Sequence, residues 1–296
     1  MKTVKLLIVM VSVLVYSSAA MALHENATYS WNPSETEHDW VSVNRWAIFE
    51  GSWIYPFDSV PGATNTVDMG NSSPVNYAEI PVGATAQCLH LYVGSGSDDT
   101  LIVNGTLNVN GDFVFGSGAG DSGTAVVTVN SSADVNFLGK IVPYNSNAAT
   151  ICKLAVNGGT VDVSDIIGVQ APANYPSKVA VELKGGSFNP GYVAFYDAGD
   201  GSNFSIDIDG GDLVMNNYGH FTNDLVAKGC ILASGNVVTV DNMAEMLEED
   251  WSTYPGKVAF RSKVPVVYEA DFDGNGKVDL ADFSMFASEW LRVNAQ

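Results

Sequence analysis

Between about residues 75 and 216 the chain returns, every 25 to 27 residues, to a pair of apolar side chains set two apart. The pairs are Val75/Tyr77, Leu101/Val103, Val127/Val129, Leu154/Val156, Val181/Leu183 and Ile206/Ile208, at successive offsets of 26, 26, 27, 27 and 25. From the second pair onward a turn follows: Asn104-Gly105-Thr106, Asn130-Ser131-Ser132, Asn157-Gly158-Gly159, Lys184-Gly185-Gly186 and Asp209-Gly210-Gly211. Asn, Asp and Gly tolerate positive φ, so a recurrent sharp corner is expected there. Beyond it alternation resumes, as in Leu107/Val109, Val161/Val163 and Leu213/Met215. An apolar residue plus glycine marks a second expected corner at Val93-Gly94, Phe115-Gly116, Leu138-Gly139 and Ile167-Gly168.

Period-two alternation broken by corners describes strands with one buried face. A unit of this length cannot bury that face alone and must stack on its neighbours. The fold expected is therefore mainly β, a single-stranded parallel β-helix whose apolar pairs form interior ladders. Six rungs at ~4.8 Å give a core roughly 25–30 Å long. An antiparallel sandwich or jelly roll is the competitor, and the even offsets argue against it. Residues 170–177 read as a loop bulging from one coil.

The open ends of such a rod need covering. Trp31, Trp40, Trp46 and Trp53 crowd residues 23–74, expected as an N-terminal cap, with an exposed sugar-binding platform as the alternative. At the other end of the body, residues 75–263, Asn242 and Glu245 have capping-box spacing and open a short helix with Met243, Met246 and Leu247 on one face.

Lys2 and Lys5, the apolar run from Leu6 to Val15 and the small residues ending at Ala22 have the layout of a secretory signal peptide, residues 1–22. Its run is too short to span a bilayer, and no later stretch is long enough, so the mature protein is expected outside the cell or at its surface with no transmembrane segment. Acidic residues outnumber basic ones 33 to 13, a net charge of −20, which argues against a nucleic-acid partner. Three cysteines, Cys88, Cys152 and Cys230, are too few for a disulfide scaffold and read as buried thiols in preference to a bridge.

Pectate-lyase-like and polygalacturonase-like enzymes use this architecture, and their requirements find little here. Lys140, Lys153, Lys178 and Lys184 are the only basic residues between 75 and 216, and they do not cluster in sequence. Asp98-Asp99 followed by Gly219-His220 resembles the polygalacturonase pattern only faintly, at the wrong spacing. Asp98, Asp99, Asp121, Asp197 and Asp200 fall in Gly-rich stretches and are expected to serve turns. His24, His38, His90 and His220 are dispersed, and His90, between Leu89 and Leu91, is expected to face solvent. The catalytic set is therefore read as none. Asn26, Asn71, Asn104, Asn130 and Asn203 open glycosylation sequons.

The most specific motif lies near the C-terminus. Calcium collects six to eight oxygens, and a twelve-residue loop supplies them from positions 1, 3, 5, 7, 9 and 12. Those positions are Asp271, Asp273, Asn275, the backbone carbonyl of Lys277, Asp279 through water, and Asp282, with Gly276 at the sharp turn. Phe283, Phe286, Ala287, Trp290 and Leu291 follow at helical spacing, whereas Val264–Tyr268 ahead of the loop reads as extended chain. A loop with an exiting but no entering helix resembles a type I dockerin repeat, present here in one copy, with Leu280 and Ala281 at its tenth and eleventh positions. The resemblance implies that residues 264–296 bind Ca2+ and engage a cohesin-like or other cell-surface protein. The body resembles bacterial exported proteins with Gly-Gly-punctuated β-helix repeats, which implies surface display or assembly in a polysaccharide-related context. The expectation is a non-catalytic exported rod; a polysaccharide lyase or glycoside hydrolase on the same scaffold, and a carbohydrate-binding module, are the alternatives.

Overall fold

A computed structural model of the chain describes residues 27–31, 39–42, 46–49, 53–54, 59–69, 75–94, 98–118, 124–145, 151–169, 178–195, 202–263 and 283–284. The signal segment, the calcium loop, the loop at 170–177 and Asp121, Asp197 and Asp200 lie outside them. Alternation puts one side of each strand in the dry interior. In Thr124–Val129 the residues Ala125, Val127 and Val129 are buried while their neighbours are partly exposed.

Three strands make one turn of a coil: Asp98–Val103, then Thr106–Val109, then Phe113–Gly118. The first face runs Val75–Ile80, Asp98–Val103, Thr124–Val129, the leading parts of Ile151–Val163 and Lys178–Asn189, Phe204–Ile208 and Ile231–Ala233, each parallel to the next. The second face runs in the same way from Thr85–Cys88 through Thr106–Val109 and Asp134–Phe137 to Asp212–Met215. The third runs from Thr28–Trp31 through Thr66–Asp68, His90–Val93, Phe113–Gly118, Ile141–Asn145 and Ile166–Val169 to Tyr192–Phe195. The body is a β-solenoid of about five turns, and parallel pairing throughout these columns excludes the sandwich.

In-register stacking turns the apolar pairs into columns. Leu101, Val127, Leu154, Val181 and Ile206 are successive partners, all at most 3% exposed. Inside the rod Phe113 and Phe137 stack at 4.8 Å with 14° between their planes. Each such side chain contributes about 1.5–3 kcal/mol by leaving water.

Several expectations about register and capping need correction. The partners of Leu101 and Val103 are Ala78 and Ile80, whereas Tyr77 pairs with Thr100, so the first step is shorter than the later ones. Alternation names a face but not a partner, and Tyr77, half-buried where Ala78 and Ile80 are fully buried, satisfies the pattern on the other side of the strand. The apolar-glycine markers mix different places: Gly139 packs on the Gly111 turn, while Gly168 lies within Ile166–Val169. The helix at Met243–Met246 is a single turn, with Leu247 already the first residue of a strand. Asn242 makes no side-chain bond to it, because its carboxamide oxygen instead accepts the Thr239 N–H at 2.7 Å. The body also holds one first-face strand more than the pattern marked, Ile231–Ala233.

The corners explain the Gly-Gly punctuation. Gly159 and Gly186 have φ of +69° and +67°, and a Cβ on Gly186 would collide with the backbone of Gly158 and Gly159 one rung below. Chain rests directly on chain there, so a side chain is excluded twice, by conformation and by space. Beside this seam runs an amide ladder: Asn157 donates to the Asn130 carboxamide oxygen at 3.3 Å, Asn130 to that of Asn104 at 2.7 Å, and Asn104 to Glu79 at 2.8 Å.

Antiparallel strands flank the parallel body at both ends. Trp46–Phe49 lies antiparallel to Thr28–Trp31, and Trp53–Ile54 to Trp46–Phe49. Trp46 is fully buried, takes edge contacts from Trp31 and Trp40 with centroids 5.0 and 4.8 Å away, and donates its indole N–H to the Trp40 carbonyl at 2.9 Å. Trp31, Trp40 and Trp46 therefore offer no exposed platform; the side chain of Trp53 is outside the description. At the far end Val258–Ser262 runs antiparallel to Asp212–Met215, and Leu247–Asp250 antiparallel to Val258–Ser262. Cys88, Cys152 and Cys230 are all buried thiols.

Candidate functional site

The loop donors Asp271, Asp273, Asn275, Lys277, Asp279 and Asp282 fall outside the described residues, so their arrangement rests on sequence. Of the following segment, Phe283 and Ser284 are helical, and Phe283 is 66% exposed.

On the rod, carboxylates join one stretch of chain to another. Asp99, fully buried at the start of its strand, accepts the Gly94 N–H at 2.6 Å. Asp98 accepts the Thr124 N–H of the next rung at 2.6 Å. Along the second face Asn136 donates to Asn108 and Asn189 to Asp162, both at 3.1 Å. His90 does not simply face solvent: its Nδ1 accepts the Asp112 N–H at 2.9 Å, and its ring fills the space over Gly111.

His220 and the Asp98-Asp99 pair are not brought together. His220 binds the third-face strand Tyr192–Phe195, three rungs beyond Asp98–Val103, about 14 Å at the usual strand spacing. Its Nε2 accepts the Val193 N–H at 3.2 Å, so Nδ1 carries the proton and donates to Asp224 Oδ2 at 2.7 Å. The ring stacks on Tyr192 at 4.1 Å. Both nitrogens are thus committed to holding the segment Tyr218–Val226 against the rod.

On the first face, charged side chains from three rungs gather around Glu182. Glu182 meets Lys153 at 2.6 Å and Lys184 at 3.3 Å, and Asp207 is its in-register neighbour on the next rung. Burial disfavours the Glu182 carboxylate, but the hydrogen bonds and charges of the two lysines outweigh it and hold the group below the ordinary range. Asp207 is pushed the other way, chiefly by burial and further by Asp209 and Glu182, against the Gly235 N–H that it accepts at 3.0 Å. Sequence reasoning missed this cluster because its members sit on three rungs. A glutamate and an aspartate 25 residues apart, close to the repeat length, were the available signal.

At the C-terminal end Arg261 bonds Asp212 through Nε at 2.5 Å and Nη2 at 2.9 Å, and reaches Asp250 through Nη1 at 3.0 Å. Next to it two aromatic side chains share one acid: Tyr218 donates its hydroxyl to Glu249 Oε1 at 2.7 Å, and Trp251 its indole N–H to Glu249 Oε2 at 3.2 Å. No protein-family model, curated protein or solved structure matches the chain.

Proposed function

We propose that this chain is an exported, non-catalytic β-solenoid, displayed or assembled at the cell surface through a calcium-loaded, dockerin-like tail at residues 264–296. The observation that carries the structural role is the ladder from Asn157 through Asn130 and Asn104 to Glu79. Polar side chains that an enzyme would turn toward substrate here tie one coil to the next. Such cross-bracing suits a spacer or adhesive element. Trp31, Trp40 and Trp46 serve in this reading as the N-terminal cap, and residues 1–22 as the export signal. The tail would supply the attachment, with Asp271, Asp273, Asn275, Asp279, Asp282 and the Lys277 carbonyl around one Ca2+. Calorimetry on the full mature chain should show one calcium bound, and the double variant Asp271→Ala, Asp273→Ala should lose it. Unchanged stoichiometric uptake by that variant would refute the tail assignment.

A glycoside hydrolase on the same rod is the second reading, favoured by the Glu182–Asp207 pair alone. Two neighbouring carboxylates whose environments drive their proton affinities apart are the pattern of an acid and a nucleophile. Against it, both Glu182 oxygens are held by lysines. New reducing ends from a neutral or acidic polysaccharide, abolished by Asp207→Asn, would establish this reading in place of the first.

A further inference from the structure

We propose that Trp251, Tyr218 and Glu249 form a binding platform for the ring of a neutral sugar in a polysaccharide chain. The inference does not depend on the calcium tail, since it uses only residues at the C-terminal end of the rod.

Trp251 is 59% exposed, unlike Trp31, Trp40 and Trp46. Its ring lies 5.6 Å from that of Tyr218, with 33° between the planes, so the two make a shallow aromatic surface. Tyr218 is backed by Phe260 at 5.9 Å, itself fully buried and stacked on Phe221 at 3.7 Å. The surface therefore stands on the core of the rod. Its loop is also held: Asp250 accepts the backbone N–H and hydroxyl of both Ser252 and Thr253, and anchors Arg261. A platform made rigid before binding loses little freedom when a ligand arrives.

The position of the acid selects the ligand. Indole N–H and phenol O–H lie in the planes of their rings, so Glu249, which accepts from both, sits at the ring edges and not over the faces. A cation over the π face would be drawn to that carboxylate but brings no ring of hydroxyls to donate to the Glu249 oxygens at the ring edges, so choline competition separates it from a sugar ring. A sugar ring lying flat lays its C–H face on the aromatic surface and directs its equatorial hydroxyls outward, where Glu249 accepts them. Glu249 itself carries negative charge, Glu248 precedes it, and the whole chain is strongly acidic, so uronic-acid polymers are repelled. Hydroxyl donors without charge remain.

The test is native affinity electrophoresis of the full mature chain through gels carrying hydroxyethyl cellulose, galactomannan or carboxymethyl cellulose, with choline chloride as a soluble competitor. Retardation is expected in at least one neutral gel, undiminished by choline and weaker in the carboxymethyl gel. Trp251→Ala should reduce it at least tenfold, Glu249→Gln and Tyr218→Phe by smaller factors, with thermal unfolding unchanged. Trp251→Phe, which keeps an aromatic face, should retain part of the binding and serves as the readout if the alanine variant is misfolded. No retardation in either neutral gel, retardation unaffected by all of these variants, or release by choline would each overturn the proposal.

Discussion

The amide of Asn130 donates to the carboxamide oxygen of Asn104 at 2.7 Å, although 26 residues of chain separate them. Their proximity follows from the repeat length: one turn of coil brings each corner asparagine onto the one before it. Asn130 also accepts from Asn157, so it is bonded on both sides. Asn130→Ala removes both bonds and is expected to cost about 1–2 kcal/mol in chemical denaturation. Asn130→Asp should cost more at neutral pH, because a carboxylate oxygen then faces the Asn104 oxygen, and should recover part of that loss on acidification. Equal effects of the two substitutions at pH 7 would contradict the ladder.

Gly186 and Gly83 both hold positive φ, but of the two only Gly186 has backbone against it; among the described residues nothing lies within 4 Å of a Cβ placed on Gly83. Gly83→Ala is expected to cost about 1 kcal/mol, the conformational penalty alone. Gly186→Ala adds overpacking of about 1–3 kcal/mol. Comparable midpoints in urea for the two variants would show that the rungs do not press on each other at this corner.

Phe137 is fully buried and stacked on Phe113. Phe137→Ala is expected to lower stability by about 3–5 kcal/mol, and Phe137→Leu by much less. Hydrogen exchange should report the loss over neighbouring rungs, since each coil is supported only by those beside it.

Burial raises the Cys152 thiol to about 12 and drives Cys88 higher still. In the folded protein both should react with a thiol reagent at pH 8 only as fast as the chain unfolds, and promptly in denaturant. Rapid labelling of the native protein at either position would contradict this packing.

The hydroxyl of Thr253, then the hydroxyl and backbone N–H of Ser252, hold the Asp250 carboxyl well below the carboxylate range. A group depressed in the folded state stabilises it fully above its unfolded value, near 4, and the contribution disappears as pH falls through the folded value. The Trp251 loop should therefore loosen in acid, seen as a falling thermal midpoint below about pH 4 that is shallower in Asp250→Asn. Asp207, raised by burial, works in the opposite direction: Asp207→Asn should stabilise the protein at pH 7 and have a vanishing effect in acid. A destabilising Asp207→Asn at neutral pH would show that its carboxylate is needed in the charged form.

The repeat was legible in one dimension because stacking demands it: a strand with one apolar side has to meet another at a constant interval. Leu101, Val127, Leu154, Val181 and Ile206 therefore name the interior column without coordinates. Register at the margin was not legible, since Val75/Tyr77 and Ala78/Ile80 both alternate and the choice between them is made by contact with Asp98–Val103. The fate of the tryptophans had the same character. Apolar area makes Trp46 and Trp251 equivalent as letters, yet antiparallel strands at one end enclose the first, while the turn after Leu247–Asp250 holds the second at the surface. The pairing of Glu182 with Asp207 and the gathering of Asp212, Asp250 and Arg261 likewise exist only after coiling. Periodicity is a property of the chain, whereas adjacency across rungs depends on how many residues each corner spends in turning.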